Sequence, residues 1–157
     1  MTITIPRTDS ASPQAIAELE RRFGRLPQNY LHFLANHDGA KPERNILEGG
    51  WEVVKNSVSV RRFIKAVDIP EDADTTEFLD EGLVPIAEDD CGNLTCLGAG
   101  DHKVYFWEVG ADEPAKVVAN SFQEFLDRLV PAKPLDPDDS SARVISVWVD
   151  PDFKPEY

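Results

Sequence analysis

Three consecutive carboxylates stand directly before a cysteine in the stretch AEDDCGNLTCLG, residues 87–98, and a second cysteine follows five positions later. Residues of these types can form a thiolate nucleophile, a carboxylate acid–base pair, a disulfide or a metal site. Each of these chemistries requires its own spacing or electrostatic setting. The sequence can therefore be tested against each in turn.

Cys91 is poorly placed to act as a nucleophile. A reactive cysteine needs a nearby base and an electropositive setting that favours the thiolate. Here its neighbours are Glu88, Asp89 and Asp90, and negative charge disfavours the thiolate. Cys96 lies at an alternating position of NLTCL, where we expect a small buried thiol that packs as a hydrophobe.

The disulfide and metal alternatives fail on spacing. Five residues of strand cover about 16 Å, whereas the Cα atoms of a disulfide lie less than about 7 Å apart, so a bridge requires a sharp bend. Zinc needs four ligands in local pairs, but His32, His37 and His102 are scattered along the chain. The calcium-loop pattern finds no register in EDDCGN. We predict no metal site and no cofactor.

Acid–base catalysis finds little support either. Adjacent strand residues such as Asp89 and Asp90 point to opposite faces unless the turn reorients them. The chain has no Gly-rich phosphate loop and no G-x-S-x-G elbow. We therefore predict that the protein is not an enzyme and has no catalytic residues.

The carboxylates matter more as charge. The chain carries a net charge of −13, and residues 68–90, called the acidic run, contain ten carboxylates and no Lys or Arg. One interpretation is a solvated face that keeps the protein soluble. The other is a docking surface for a basic partner, because charge of one sign accelerates encounter with the opposite sign. The candidate partner-binding residues are Asp72, Asp74, Glu77, Asp80, Glu81, Glu88, Asp89 and Asp90.

Composition limits the remaining classes of protein. A chain of 157 residues with 41% hydrophobic residues fits one domain with a substantial core. Its acidic field opposes nucleic-acid binding. No segment approaches the roughly 20 apolar residues of a membrane span, and two cysteines do not make a disulfide scaffold. We expect a cytoplasmic protein without nucleic-acid or membrane partners.

Two short amphipathic helices are predicted near the N-terminus. Ser12 can cap the first, with Pro13 in its first turn, and Gly24 ends it. The second begins in RLPQNY, and Gly39 stands where a left-handed C-cap belongs.

The middle of the chain is predicted to be mostly β-structure. Strands are expected over residues 45–54 and 57–69, followed by a short acidic helix over 75–80. LVPIA, NLTCL, KVYFWEV and AKVVA then read as successive strands joined by short turns, which implies antiparallel pairing. Pro85 indicates that part of LVPIA lies at a sheet edge or at a strand start.

A capping box, Ser121 and Glu124 in S-x-x-E, predicts a last helix that Pro131 terminates. A linker rich in Pro and Asp follows. Residues 142–149, ARVISVWV, are a candidate strand that either extends the sheet or covers one of its faces, with Trp148 in the core.

Several of these motifs together resemble the SUKH superfamily. They are LPQNYLHFLANHDGA, VPIAEDDCGNLTCLG, KVYFWEV and ANSFQEFLDRL, in this order within roughly residues 12–129. Members include many immunity proteins of bacterial polymorphic-toxin systems and fungal regulators of cell-wall synthesis. The resemblance implies helices packed on a mostly antiparallel sheet, and a binding module with no catalytic residues to transfer.

The pattern and the resemblance together predict an α+β fold. We expect a mostly antiparallel sheet of about five or six strands, packed by N-terminal and C-terminal helices. A single SUKH-like domain is expected over residues 1–130 and a C-terminal extension over 131–157. The predicted function is that of an immunity protein that occludes a cognate toxin domain, which is expected to be basic, as a nuclease would be. The alternative is a regulatory or scaffold module that binds an endogenous partner.

Overall fold

Two helices come first in the described part of the chain, and most of the strands lie between them and the last helix. A computed structural model describes residue 5 and residues 8–48, 58–77, 79–80, 82–111 and 113–131. The helices are α1 (Pro13–Phe23), α2 (Gln28–His37), α3 (Ile69–Thr75) and α4 (Phe122–Asp127), with a 3₁₀ turn at Ala66–Asp68. The strands are β1 (Arg44–Leu47), β2 (Arg62–Phe63), β3 (Leu83–Glu88), β4 (Leu94–Gly98), β5 (Val104–Trp107), β6 (Lys116–Ala119) and β7 (Leu129–Pro131).

The first two helices begin and end close to where the sequence predicts. The Ser12 hydroxyl accepts a hydrogen bond from the Ala15 N–H at 3.1 Å, and Pro13 occupies the first helical turn. Gly24, with φ at 88°, ends α1. Gly39, with φ at 73°, follows the end of α2. Both glycines adopt the left-handed conformation that side chains with a Cβ rarely take.

The strands form a five-stranded antiparallel sheet in the order β2–β3–β4–β5–β6, and β1 pairs with β7 in a separate two-stranded sheet. The predicted α+β fold with a mostly antiparallel sheet is confirmed, and the four predicted strands of the meander are β3 to β6. Pro85 lies in the part of β3 that β2 does not reach, since β2 pairs only with Ala87 and Glu88. This agrees with the expected partial edge position.

Aromatic side chains join the terminal helices to the sheet. Phe33 of α2 packs against Phe63 of β2 and Phe122 of α4, with ring centroids 4.6 Å and 5.2 Å apart. Tyr30 meets Phe122 edge-on at 5.1 Å. All four side chains are buried. Helices from opposite ends of the described chain therefore share one core.

Two predicted elements before the meander are wrong in extent. Within the described residues, the strand expected over 57–69 is limited to β2, and the helix expected over 75–80 lies earlier, as α3. The chain leaves the sheet at Ala66, whose N–H donates to the buried carboxylate of Asp38 at 2.8 Å. Pro70 then favours a helix start, because its missing N–H is not needed in the first turn.

The last helix starts as predicted but ends early. The Glu124 N–H donates to the Ser121 hydroxyl at 3.0 Å, so Ser121 is the N-cap. The helix ends at Asp127, and Pro131 lies in β7 rather than at a helix end. Most of the predicted C-terminal extension, including the candidate strand over 142–149 and Trp148, lies outside the described residues.

Candidate functional site

The fold brings an arginine from α1 against the acidic run. The Arg22 guanidinium donates to the Asp74 carboxylate on α3 at 2.9 Å and to the Pro70 carbonyl at 3.2 Å. The hydrogen bond from Arg22 holds the pKa of Asp74 below its ordinary value. The charge of Asp74 is therefore largely balanced by a residue that lies 52 positions earlier in the chain.

Two further arginines face the other end of the acidic run. Arg62 Nε lies 2.5 Å from Glu88 Oε1, across the β2–β3 pairing. Arg61 Nε lies 3.7 Å from Asp90 Oδ1, and the Asp90 side chain is 83% exposed. Exposed pairs of this kind contribute about 0–1 kcal/mol each to stability. Their larger effect is to cancel charge on the surface around β3.

Asp89 anchors the β3–β4 turn. One carboxylate oxygen accepts the N–H groups of Cys91 and Asn93 at 2.8 Å and 2.9 Å, and the other accepts the Asn93 side-chain amide at 2.9 Å. The residue is only 7% exposed. Both oxygens of Asp89 are thus engaged in holding the turn, with Gly92 at a φ of 88° completing it.

Asp72 lies half-buried on α3. Burial raises the pKa of its carboxyl group, the nearby Asp68 and Glu88 raise it further, and Arg62 opposes them. Its backbone carbonyl accepts the Thr76 hydroxyl at 2.6 Å, at the end of the helix.

Glu77 and Asp80 are exposed carboxylates that follow α3. Within the described ranges, no cation lies within ion-pair distance of either residue. Asp80 Oδ2 accepts the Ala115 N–H at 3.5 Å, from the segment that enters β6. Glu81, the remaining candidate from the sequence, lies outside the described residues.

These two carboxylates line a groove of about 660 Å³, called here the Asp80 groove. The rest of the groove comes from the end of β5 and the β5–β6 turn, and its lining includes Glu77, Asp80, Trp107, Val109, Glu113 and Pro114. Two smaller depressions of about 380 Å³ and 440 Å³ adjoin it, and Asp80 lines all three. Asp80 therefore stands where the concave features of this face meet.

Side chains from the neighbouring turn fix the groove wall. The Asn93 side-chain oxygen accepts the Val109 N–H at 3.0 Å, while the amide of the same side chain donates to Asp89. Val109 is 52% exposed, an unusual exposure for an aliphatic residue on this molecule. Glu113 pairs with Lys116 at 2.9 Å, so its charge is already balanced. The apolar wall is consequently held in place by a chain of contacts that begins at Asp89.

The structure therefore separates the seven candidate residues that it describes, since Glu81 lies outside the described part of the chain. It brings Glu77 and Asp80 together at the Asp80 groove, pairs Asp74, Glu88 and Asp90 with arginines, and places Asp72 and Asp89 partly or largely inside. Whether all eight bind a partner stays a prediction. The sequence did not point to Trp107, Val109 and Pro114, because the turn GADEP gives no sign that it faces the segment after α3.

The cysteines and the histidines add no reactive centre to this face. Cys96 is buried in β4, as predicted, and burial raises the pKa of its thiol. Cys91 is exposed at the β3–β4 turn. Within the described residues, no three His, Cys, Asp or Glu side chains are grouped as metal ligands. No helix in the described ranges has the length and apolar character of a membrane span.

This chain is similar in sequence to known proteins. A family model described as the SMI1 / KNR4 family (SUKH-1) matches residues 10–128. The SPbeta prophage-derived uncharacterized protein YokK of Bacillus subtilis (strain 168) is 25% identical over 172 aligned positions, which cover 89% of this chain and 85% of the relative. The range matched by the family model extends from before α1 to just after α4 and includes the Asp80 groove.

Proposed function

Because the chain belongs to the SMI1 / KNR4 family (SUKH-1), we propose that it is an immunity protein that binds and neutralises a cognate polymorphic toxin. The family match over residues 10–128 is the observation that carries this proposal. Immunity proteins are numerous in the SUKH superfamily. The prophage origin of the relative in Bacillus subtilis supports a bacterial setting over that of the fungal regulators.

The proposed mechanism is stoichiometric occlusion of the toxin. The net charge of −13 favours a basic toxin domain, such as a nuclease whose cationic cleft otherwise holds nucleic acid. An acidic surface raises the rate of encounter with such a domain by roughly tenfold to a thousandfold at low salt. Neutralisation then requires one immunity protein for each toxin molecule, without any chemical step.

The test is co-expression with the product of an adjoining toxin gene. We expect the chain to restore growth to cells that express the toxin, and a one-to-one complex to be seen by size-exclusion chromatography with light scattering. Inhibition of the purified toxin should be complete at one molar equivalent. A toxin inactivated at its catalytic site serves as the control for toxicity.

Two outcomes would contradict the proposal. Inhibition at a small fraction of one equivalent would indicate that the chain acts as an enzyme on the toxin. Absence of both complex and rescue, together with capture of an endogenous partner, would favour the regulatory or scaffold alternative.

A further inference from the structure

We infer that the Asp80 groove receives a Lys or Arg side chain flanked by apolar residues, presented by an exposed segment of the partner protein. The inference rests on the proposed function in so far as the chain acts by binding another protein. It goes further in naming which part of the acidic run makes the contact and which chemistry fits it.

Ion pairs balance only some of the carboxylates in the acidic run. Arginines hold Asp74, Glu88 and Asp90, and the turn holds Asp89. Glu77 and Asp80 are exposed, have no ion-pair partner among the described residues, and line the same concave feature. A cation in the groove would therefore gain attraction from both carboxylates without displacing an arginine from either.

Apolar side chains line the same groove as these carboxylates. Trp107, 8% exposed, and the more exposed Val109 line the groove together with Pro114. Lys and Arg carry long aliphatic stems that pack on apolar surface while their charged heads stay polar. A Trp ring also attracts a nearby cation through its π-system. A groove lined by apolar side chains and by two carboxylates matches the aliphatic stem and the charged head of such a side chain.

Hydrogen bonds connect the described lining of the groove to the rest of the fold. Asn93 holds Val109 at 3.0 Å, and Asp80 itself contacts the Ala115 N–H at 3.5 Å. The two walls are thus tied to the sheet and to each other. A preformed groove loses less conformational entropy on binding than a loop that must first become ordered.

The same charges disfavour other occupants. A phosphate backbone or an acidic peptide would meet Glu77 and Asp80 with charge of the same sign. A second copy of the chain would bring another net charge of −13 to the contact. A basic polypeptide segment is the occupant that complements the groove.

The test uses short peptides and site-resolved NMR on the whole chain. Acetyl-Leu-Arg-Leu-Arg-Leu-amide is titrated into ¹⁵N-labelled protein, and the matched control peptide carries citrulline, a neutral isostere, in place of each arginine. We expect saturable shifts at the amides of Val109, Ala111 and Ala115 and at the Trp107 indole, with the arginine peptide alone. These shifts should shrink as salt is added.

A pair of variants with equal charge change makes the test specific. Glu77→Gln with Asp80→Asn should weaken binding of the arginine peptide about fivefold to tenfold, as expected for the loss of two exposed charge contacts. Asp68→Asn with Glu71→Gln removes two exposed carboxylates of the same run that do not line the Asp80 groove, and should weaken binding by less than about twofold. Equal weakening by both pairs, equal binding of the citrulline peptide, or shifts centred on α3 would overturn the inference.

The outcome can be told apart from failure of the proposed function. If the toxin is neutralised and its complexes with the wild-type chain and with the Glu77→Gln/Asp80→Asn variant dissociate at the same rate, the groove inference is wrong and the immunity function stands. If the peptide binds in the groove but no toxin is neutralised, the groove stands and the immunity function is wrong.

Discussion

Two parts of the acidic run carry the same kinds of side chain but have opposite surroundings. At the β3 end, Arg61 and Arg62 face Asp90 and Glu88, and Asp89 is buried in a turn. After α3, Glu77 and Asp80 line a groove, and no cation of the described residues lies within ion-pair distance of either. The difference teaches that a run of carboxylates is not one surface: some of its members bind other residues of the fold, and others have no ion-pair partner among the described residues.

The largest expected effect is on stability and concerns the carboxylate of Asp89 in the β3–β4 turn. Asp89→Ala should lower the free energy of unfolding by about 2–3 kcal/mol, because it leaves three donors of the β3–β4 turn without their charged acceptor. Urea denaturation gives the measurement, with the slope m expected to be unchanged. Glu77→Ala is the control and should change stability by no more than about 0.5 kcal/mol. Similar losses for the two variants would contradict the division of the run.

The next effect separates dissociation from encounter in the complex with a basic partner. Glu77→Gln/Asp80→Asn and Asp74→Asn/Glu88→Gln change the net charge equally, so both should lower the association rate and flatten its salt dependence similarly. The groove pair alone should also raise the dissociation rate, by about fivefold to tenfold. Stopped-flow or surface-based kinetics at several salt concentrations measures both rates. If the Asp74→Asn/Glu88→Gln variant dissociated faster than the groove variant, the partner contact would lie at the arginine-paired carboxylates and not at the groove.

A smaller effect is expected from the arginine that joins α1 to α3. Arg22→Gln should cost up to about 1 kcal/mol of stability, because it removes a partly exposed contact between two helices. Arg21→Gln breaks only the exposed pair with Glu18 within α1 and should cost less. Thermal unfolding of the two variants side by side gives the difference. A greater loss for Arg21→Gln would show that the α1–α3 contact is not the stronger one.

The smallest effect is a difference in titration between two neighbours on α3. The pKa of Asp74 is lowered by Arg22 and the pKa of Asp72 is raised by burial, so ¹³C carboxyl shifts should place them on opposite sides of about 3.9. The lowered pKa of Asp74 gives stability that is present above the unfolded value and lost as the pH falls through the folded value. The raised pKa of Asp72 has the opposite sign: stability falls as the pH rises from the unfolded value to the higher folded one.

Asp72→Asn should therefore remove one source of declining stability above pH 4, and raise stability slightly at neutral pH. Measurements of unfolding at several pH values check the sign. An Asp72→Asn variant that loses stability at neutral pH would show that the carboxylate is stabilised by its surroundings rather than disfavoured by burial.

Local signals in the sequence predicted the parts of the fold that depend on local chemistry. The Ser12 cap, the glycine after α1 and the strands β3 to β6 are all observed where residue types and turn signals placed them. The predictions failed where a distant residue decides the backbone. Asp38 captures the Ala66 N–H across 28 positions, and the expected long strand becomes a 3₁₀ turn and a helix.

In the candidate site, too, the sequence predicted what depends on residue type and missed what depends on distant contacts. The charge of the acidic run could be read directly from the sequence, and Glu77 and Asp80 were among the predicted residues. Arg22, however, reaches Asp74 only through the packing of α1 on α3, and Trp107 reaches the groove only through the sheet order. Which carboxylates remain unpaired is a property of tertiary structure. Composition cannot supply it.

The Asn93 side chain has a consequence for how recognition can diversify. One amide joins the β3–β4 turn to the β5–β6 turn through Asp89 on one side and Val109 on the other. Gly110, Ala111, Glu113 and Pro114 follow this junction and line the groove. They can change in size and charge while the junction and the sheet beneath it stay the same. Under the proposed function, substitutions at these groove residues would change which partner is bound without changing the sheet that supports them.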